Sequence, residues 1–268
     1  MRAEPAAVTM LGAPVDLQRD VRQLATDAVR LHGLVDDRMS TPRAHQRSDD
    51  RAALDEERLP LAWYARMVRH LCPEGGRLLD FGCGDGGLLK RLSPHFEAFG
   101  YDAAPFARSH CRTHVPDAVI LEEWASLPSA SINIIVSLHG MERLRQPLPI
   151  VKQLVTKLIA GGTLLFTVPN PGGLGRWLKG QGWFAYRESA RGALLTHGEW
   201  VMLLRKAGLE VVSVCGDGLW DVPYMTLLPL GVQRALFAVP SALQLVWPRP
   251  FLPPAIGECL IITARKPQ

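Results

Sequence analysis

The stretch Asp80-Phe81-Gly82-Cys83-Gly84-Asp85-Gly86-Gly87 puts four glycines and two carboxylates into eight residues. A buried strand feeding such a turn brings bare backbone against something small, because glycine takes positive φ without a Cβ clash. Two spacings coexist. Gly82, Gly84 and Gly87 fit GxGxxG, with Asp102 lying 20 residues past Gly82, the pattern that cradles a dinucleotide pyrophosphate. Asp80, Gly82, Gly84 and Gly86 also fit an acidic residue, one spacer, then GxGxG. Ligand chemistry separates the two. Pyrophosphate suits an uncovered helix N-terminus, but a carboxylate at Asp80 would repel it and would favour a ligand carrying an ammonium group. A tight turn with no ligand is the third reading. Asp102, ending the next strand, can accept hydrogen bonds from both ribose hydroxyls of either nucleotide. Glu123 is placed to bind an adenine amino group, and Trp124 to cover the ring. His139 follows the fourth predicted strand and is the first candidate for a base or an acceptor-orienting group; capping a turn is its plainer role. His197, in the Leu194–Trp200 stretch, is the second candidate, with helix capping or surface exposure as the alternative.

An alternation of strand and helix must hold these residues. Strands are predicted at 77–82, 96–102, 118–123, 132–138 and 163–169, with helices at 86–93, 104–114 and 147–159 between most of them. A helix at 196–210, a strand at 210–215 and a final strand at 258–266 follow. No helix separates that final strand from the end of the sequence, so it is expected to enter antiparallel. The prediction is an α/β fold, a Rossmann-like seven-stranded sheet with helices on both faces, mostly parallel with an antiparallel last strand. Upstream, Val21, Leu24, Ala28 and Leu31 mark an amphipathic helix over 15–37, and residues 38–58 read as polar linker and helix start. A further helix within 59–76 is stopped by Pro73 and Gly75-Gly76. The organisation is therefore an N-terminal helical, partly flexible extension (1–58) and one domain (59–268) with insertions at 170–195 and 216–257.

Composition narrows the classes. The chain is 47% hydrophobic and 21% charged, enough apolar residues for a globular core. The net charge of +4 comes without a basic block, so nucleic acid is not an expected partner. Five dispersed cysteines with no CxxC pair suggest neither a zinc site nor a disulfide framework, and a reducing cytoplasm fits them. The N-terminus lacks the apolar core of a secretory signal, and no charge-free run of 18 apolar residues predicts a membrane span.

The ordered series "DFGCGDGG", Asp102, "EEWASLP", "SINIIVSLHGMERL", "LIAGGTLLFTVPNP" and "LLRKAGLEVVSV" resembles the class I S-adenosylmethionine-dependent methyltransferases. The likeness covers about residues 60–215 and the final strand, and is greatest to the small-molecule subgroup containing ubiquinone-biosynthesis-type O-methyltransferases. It implies S-adenosylmethionine as cofactor, held by Asp80, Gly82, Gly84, Gly86, Asp102, Glu123, Trp124 and Leu138, with a cationic sulfonium and ammonium suiting Asp80. It also implies methyl transfer to a small, apolar or aromatic acceptor, at oxygen first; N- or C-methylation and a nicotinamide-dependent oxidoreductase stay open as alternatives. The chain departs from that subgroup where Ile132-Asn133 replaces Phe-Asp, where His139 replaces an acidic residue, and where Glu142-Arg143 replaces Glu-His. That acidic and histidine set accompanies metal use there, so no metal is expected here. In the first insertion, Trp177, Trp183, Phe184 and Tyr186 could form an aromatic lid or only anchor the loop. In the second, Pro229, Pro240 and Pro248 are expected to break the chain into short helices. Residues 219–252 could cap the acceptor pocket, dimerise or touch a membrane surface, and the oligomeric state is left open.

Overall fold

The computed structural model describes residues 51–187 and 194–268. The expected helix over 15–37, the linker up to residue 50 and positions 188–193 of the first insertion lie outside the described residues. The first described helix, α1 (Arg51–Leu71), runs across the boundary that the sequence reading puts between positions 58 and 59. Trp63, Tyr64, Met67 and Val68 are buried at three- and four-residue steps, so one face of α1 meets the sheet.

Seven strands follow in chain order: β1 (Arg77–Phe81), β2 (Glu97–Tyr101), β3 (Val119–Ile120), β4 (Ile132–Leu138), β5 (Leu158–Pro169), β6 (Glu210–Gly216) and β7 (Cys259–Arg265). The helices between them are α2 (Gly87–Leu92), α3 (Pro105–His114), α4 (Pro147–Lys157), α5 (Leu174–Lys179), α6 (Phe184–Arg187), α7 (His197–Lys206), α8 (Leu230–Gln233) and α9 (Val239–Val246). The strands form one sheet in the order β3-β2-β1-β4-β5-β7-β6. β7 runs antiparallel to both β5 and β6, and the other pairs are parallel. The expected Rossmann-like sheet with an antiparallel last strand is what forms.

Side chains alternate across the sheet. Leu79, Phe81, Ile135 and Phe166 join one core with α4 and α7; Leu78, Ile134, Val136 and Leu165 join the other with α1, α2 and α3. Asp80 points to the α1 side with Leu78, and this fixes the face on which the site lies.

Three elements differ from the sequence reading. β3 is two residues long rather than six. β5 starts at Leu158, not 163: the strand passes through Gly161-Gly162, with Gly161 at φ +74°, opposite a register shift between Ile132 and Ile134 of β4. Finally, Pro240 does not end a helix. α8, a π-helical turn (Arg234–Ala238) and α9 make one run from Leu230 to Val246, with Pro229 before it and Pro248 beyond. The wider turn just ahead of Pro240 accommodates a residue that has no N–H to donate.

Candidate active site

The glycine turn leaves the carboxyl end of β1 and enters α2. Gly82, Gly84 and Gly86 all have positive φ (87°, 52° and 86°), so the turn needs residues without a Cβ. Their surroundings differ. A Cβ on Gly86 would lie 2.6 Å from Cys111 Sγ and 2.7 Å from Val115 Cγ2, so Gly86 serves the packing of α2 on α3. A Cβ on Gly84 would meet nothing within 4 Å; this backbone faces open space. The turn's N–H groups are already engaged, two of them by carboxylates. Asp102 Oδ2 accepts from Gly84 N (3.0 Å) and Asp85 Oδ1 from Gly87 N (3.0 Å). Asp102 Oδ1 accepts from Ala104 N (2.9 Å). A pyrophosphate would have to displace these carboxylates, and this disfavours the dinucleotide reading.

The open space is a cavity of about 500 Å³. Asp80, Gly82, Cys83, Gly84 and Asp85 form one wall, Leu138 and His139 at the end of β4 a second, and Leu61, Trp63 and Tyr64 of α1 a third. Asp217 and Trp220, beyond β6, and Leu245 of α9 close it. Three carboxylates line this cavity and, among the described residues, no Lys or Arg does. Asp80 is only 2% exposed. Burial, then the charges of Asp102 and Asp85, push its carboxyl up to about 8. Desolvation pushes Asp217 up to about 6, although the Cys259 N–H donates to its Oδ1 (2.8 Å). Such a site is electrostatically unfinished until a cation enters. A ligand carrying sulfonium and ammonium charges supplies one, and Asp80, Gly82 and Gly84 fit it.

His139 lies where β4 ends, in the left-handed region at φ +54°. Non-glycine residues rarely adopt that conformation, and histidine is among those that do so more often. The turn is held by its backbone N–H, which donates to the Thr167 carbonyl (3.1 Å), and by its own carbonyl, which accepts from Arg143 Nε (2.9 Å). Gly140 follows because a Cβ there would lie 2.6 Å from Ser137 Oγ and 3.0 Å from the Phe81 carbonyl. His139 Nδ1 is 3.6 Å from the buried Glu142 carboxylate. Among the described residues no cluster of three or more His, Cys, Asp or Glu could hold a metal ion.

Other predicted residues are placed elsewhere. Trp124 is a core residue rather than a cover for adenine: it is 3% exposed, with its ring edge-on to Phe81 at 5.5 Å. Glu123 is exposed and does not line the cavity, and its neighbour Glu122 pairs with Arg108 and Arg112. His197 is exposed in the first turn of α7 and is not in the cavity wall. Its place in the chain reflects a helix start, where Thr196 and Glu199 form a capping box. Trp177, Trp183, Phe184 and Tyr186 do not line the cavity either. Trp183 is fully buried against Phe184 and Tyr186, so these three anchor their segment, whereas Trp177 is 72% exposed.

Sequence reasoning missed Trp63, Tyr64, Asp217 and Trp220. Adjacent aromatics on α1 read as core, and Asp217 has no motif. The available signal was the "GDGLWD" run, a glycine-bounded carboxylate and tryptophan just past a strand end. That segment is fixed to the first insertion by a buried network. Tyr224 OH donates to Glu258 Oε1 (2.6 Å), the Asp221 N–H donates to Glu258 Oε2 (3.2 Å), and Lys179 Nζ pairs with Asp221 (2.7 Å).

Comparison with known proteins agrees with this fold. No curated protein matches the sequence. Among solved structures, the chain is similar to an S-adenosylmethionine-dependent methyltransferase of Thermotoga maritima (17% identity, TM-score 0.54, 78% of this chain and 91% of that one). It is also similar to a Haloferax volcanii methyltransferase solved with its Trm112 activator (19%, 0.56, 82% and 96%). A third is an Archaeoglobus fulgidus S-adenosylmethionine-dependent methyltransferase (18%, 0.50, 81% and 100%). At these identities the likeness is one of fold. The family model described as a methyltransferase domain matches residues 47–214. With strand order and glycine turn in agreement, the chain belongs to the methyltransferase domain family, as a class I, S-adenosylmethionine-dependent member.

Proposed function

We propose that this methyltransferase moves the methyl group of S-adenosylmethionine to the oxygen of a small, apolar acceptor, in the cytoplasm. The observation that carries the reading is the mixed lining of the cavity. Asp80 with the bare backbone of Gly82 and Gly84 offers a place for a cation, and Trp63, Tyr64, Trp220 and Leu245 offer apolar surface, with His139 and Asp217 in the same lining. All five cysteines are free, in keeping with a reducing compartment.

The cofactor supplies an electrophilic methyl group, so the chain's own task is orientation and proton handling. Apolar walls hold the acceptor and keep water from the sulfonium end. The His139 imidazole takes the hydroxyl proton as the new oxygen–carbon bond forms. Glu142, 3.6 Å from Nδ1, orients the ring and stabilises the imidazolium.

The test is a labelled-methyl assay on a small-molecule extract, followed by product identification and kinetics on the acceptor found. His139→Ala should lower kcat by about 10²-fold or more and leave S-adenosylhomocysteine affinity nearly unchanged. The wild-type pH–rate limb in the imidazole range, about pH 6–7, should disappear. Near-normal turnover with an unchanged pH profile would remove His139 from proton transfer, and a product methylated at nitrogen or carbon would overturn the assignment to oxygen.

A further inference from the structure

The helical run from Leu230 to Val246 is built inside out. Its inward side carries Gln233, Ser241 and Gln244, each at most 2% exposed. Their side chains are engaged with backbone. Gln233 Oε1 accepts from the Tyr224 and Met225 N–H groups, and its Nε2 donates to the Met225 and Leu228 carbonyls. Gln244 does the same between the Phe251 and Leu252 N–H groups and the Gly216 and Asp217 carbonyls. Ser241 Oγ donates to the Phe237 carbonyl and accepts from the Leu219 N–H. The outward side carries Val232, Leu236, Val239, Leu243 and Val246, which are 45% to 72% exposed. Steps of four, three, four and three residues place them in one stripe. Leu227, 94% exposed, and Trp247, 61% exposed, extend it at either end. A helix that meets only water on its outer side turns its apolar stripe inward; this one does the opposite.

Charge selects what covers the stripe. Between Asp221 and Glu258 the charged residues are Arg234 and Arg249, with no carboxylate. Arg66 of α1 lies alongside, donating to the Leu245 carbonyl. A second copy joined by a two-fold axis would bring these cations together with nothing from the segment to offset them. An anionic bilayer surface satisfies both features, acyl chains meeting the stripe and headgroups meeting the arginines. Trp247, its carbonyl fixed by Trp63 Nε1 at 2.8 Å, has the ring suited to the headgroup level. Leu245, on the same helix, is part of the cavity wall. Among the described residues no helix is long and apolar enough to cross a membrane, so the contact is a surface one.

We propose that the Val232–Val246 stripe docks this protein on an anionic membrane surface, and that the apolar acceptor enters the cavity beside Leu245 from the bilayer. The acceptor clause rests on the methyl-transfer reading; the docking clause does not.

The full-length protein is centrifuged with vesicles of phosphatidylcholine, with and without phosphatidylglycerol. It should co-sediment with the anionic vesicles, more weakly with the neutral ones, and less at high salt. Both leucines are exposed, so Leu236→Glu/Leu243→Glu should keep its circular dichroism and Tm while its vesicle partition falls about a hundredfold. Arg234→Gln/Arg249→Gln should lose the preference for anionic vesicles. Absence of co-sedimentation, or its survival in the glutamate variant, overturns the proposal. So does a dimer in sedimentation velocity that the glutamate variant disperses, which gives the stripe to a second copy. A collapse of Tm in that variant would give it to internal packing. Calorimetry with S-adenosylhomocysteine on the same preparations separates the two readings. Protein that binds it but ignores vesicles refutes docking alone, and protein that binds vesicles but not it refutes the cofactor site alone.

Discussion

Asp80 shows how one residue joins fold to function. The alternation of β1 forces its carboxylate to the α1 side, where burial and two neighbouring aspartates oppose ionisation. An acid whose folded pKa exceeds its unfolded value supports the fold fully below the unfolded pKa and loses that support as pH climbs through the folded one. Asp217 moves from 3.8 to about 6. Glu258, desolvated, moves from 4.5 to about 7. Asp80 moves from 3.8 to about 8. The Tm of the ligand-free protein should therefore decline between about pH 4 and about pH 8, with the last part of the fall due to Asp80. Scanning calorimetry across that range should find the upper part flattened in Asp80→Asn. S-adenosylmethionine affinity should rise with pH toward about 8 in the wild type and not in the variant. A variant that keeps the wild-type slope would place the relevant carboxylate elsewhere.

At the scale of the element, two glycines of one turn have separable duties. Gly86→Ala drives a methyl into Cys111 and Val115 at positive φ and should cost about 2–4 kcal/mol, read by chemical denaturation. Gly84→Val is also strained at φ +52°, but it meets no neighbour and puts its bulk into the cavity, so S-adenosylhomocysteine binding should vanish in the fraction that folds. Unaltered binding in folded Gly84→Val would sink the cofactor placement. The same turn explains what was legible in the sequence. Strand, glycine run and helix carry local signals: a short apolar run, glycines where φ turns positive, and the carboxylate before the first glycine. Leu138 and His139 could be read because they sit at a strand end, a place set by connectivity. Trp63, Tyr64, Asp217 and Trp220 could not, because tertiary packing of α1 and of the segment after β6 brings them to the cavity. Trp124 and His197 were misread for a related reason. Their chain positions match a site, but the Phe81 core holds one ring and a capping box exposes the other. Pro240 was taken as a breaker because a sequence gives no sign of a π turn upstream.

Across the whole molecule, Asn170 links the carboxyl end of the sheet to distant chain. Its Nδ2 donates to the Pro254 and Gly257 carbonyls, and its backbone N–H donates to Glu258. β7, the strand that follows, lies inside the sheet between β5 and β6, and Leu260, Ile261 and Ile262 are fully buried there. That position has a consequence for biosynthesis. A ribosome makes β5 and β6 first and β7 last of the three, so both earlier strands present bare edges until residues 259–265 leave the exit tunnel. Ribosome-stalled chains of increasing length should stay open to protease until that segment emerges, then become resistant within a few residues. Gradual protection beginning at β6 would mean that the two edges shield themselves. While they wait, the nascent chain displays a gap one strand wide, and that gap is where a chaperone, or a β7 from a neighbouring chain, would bind first.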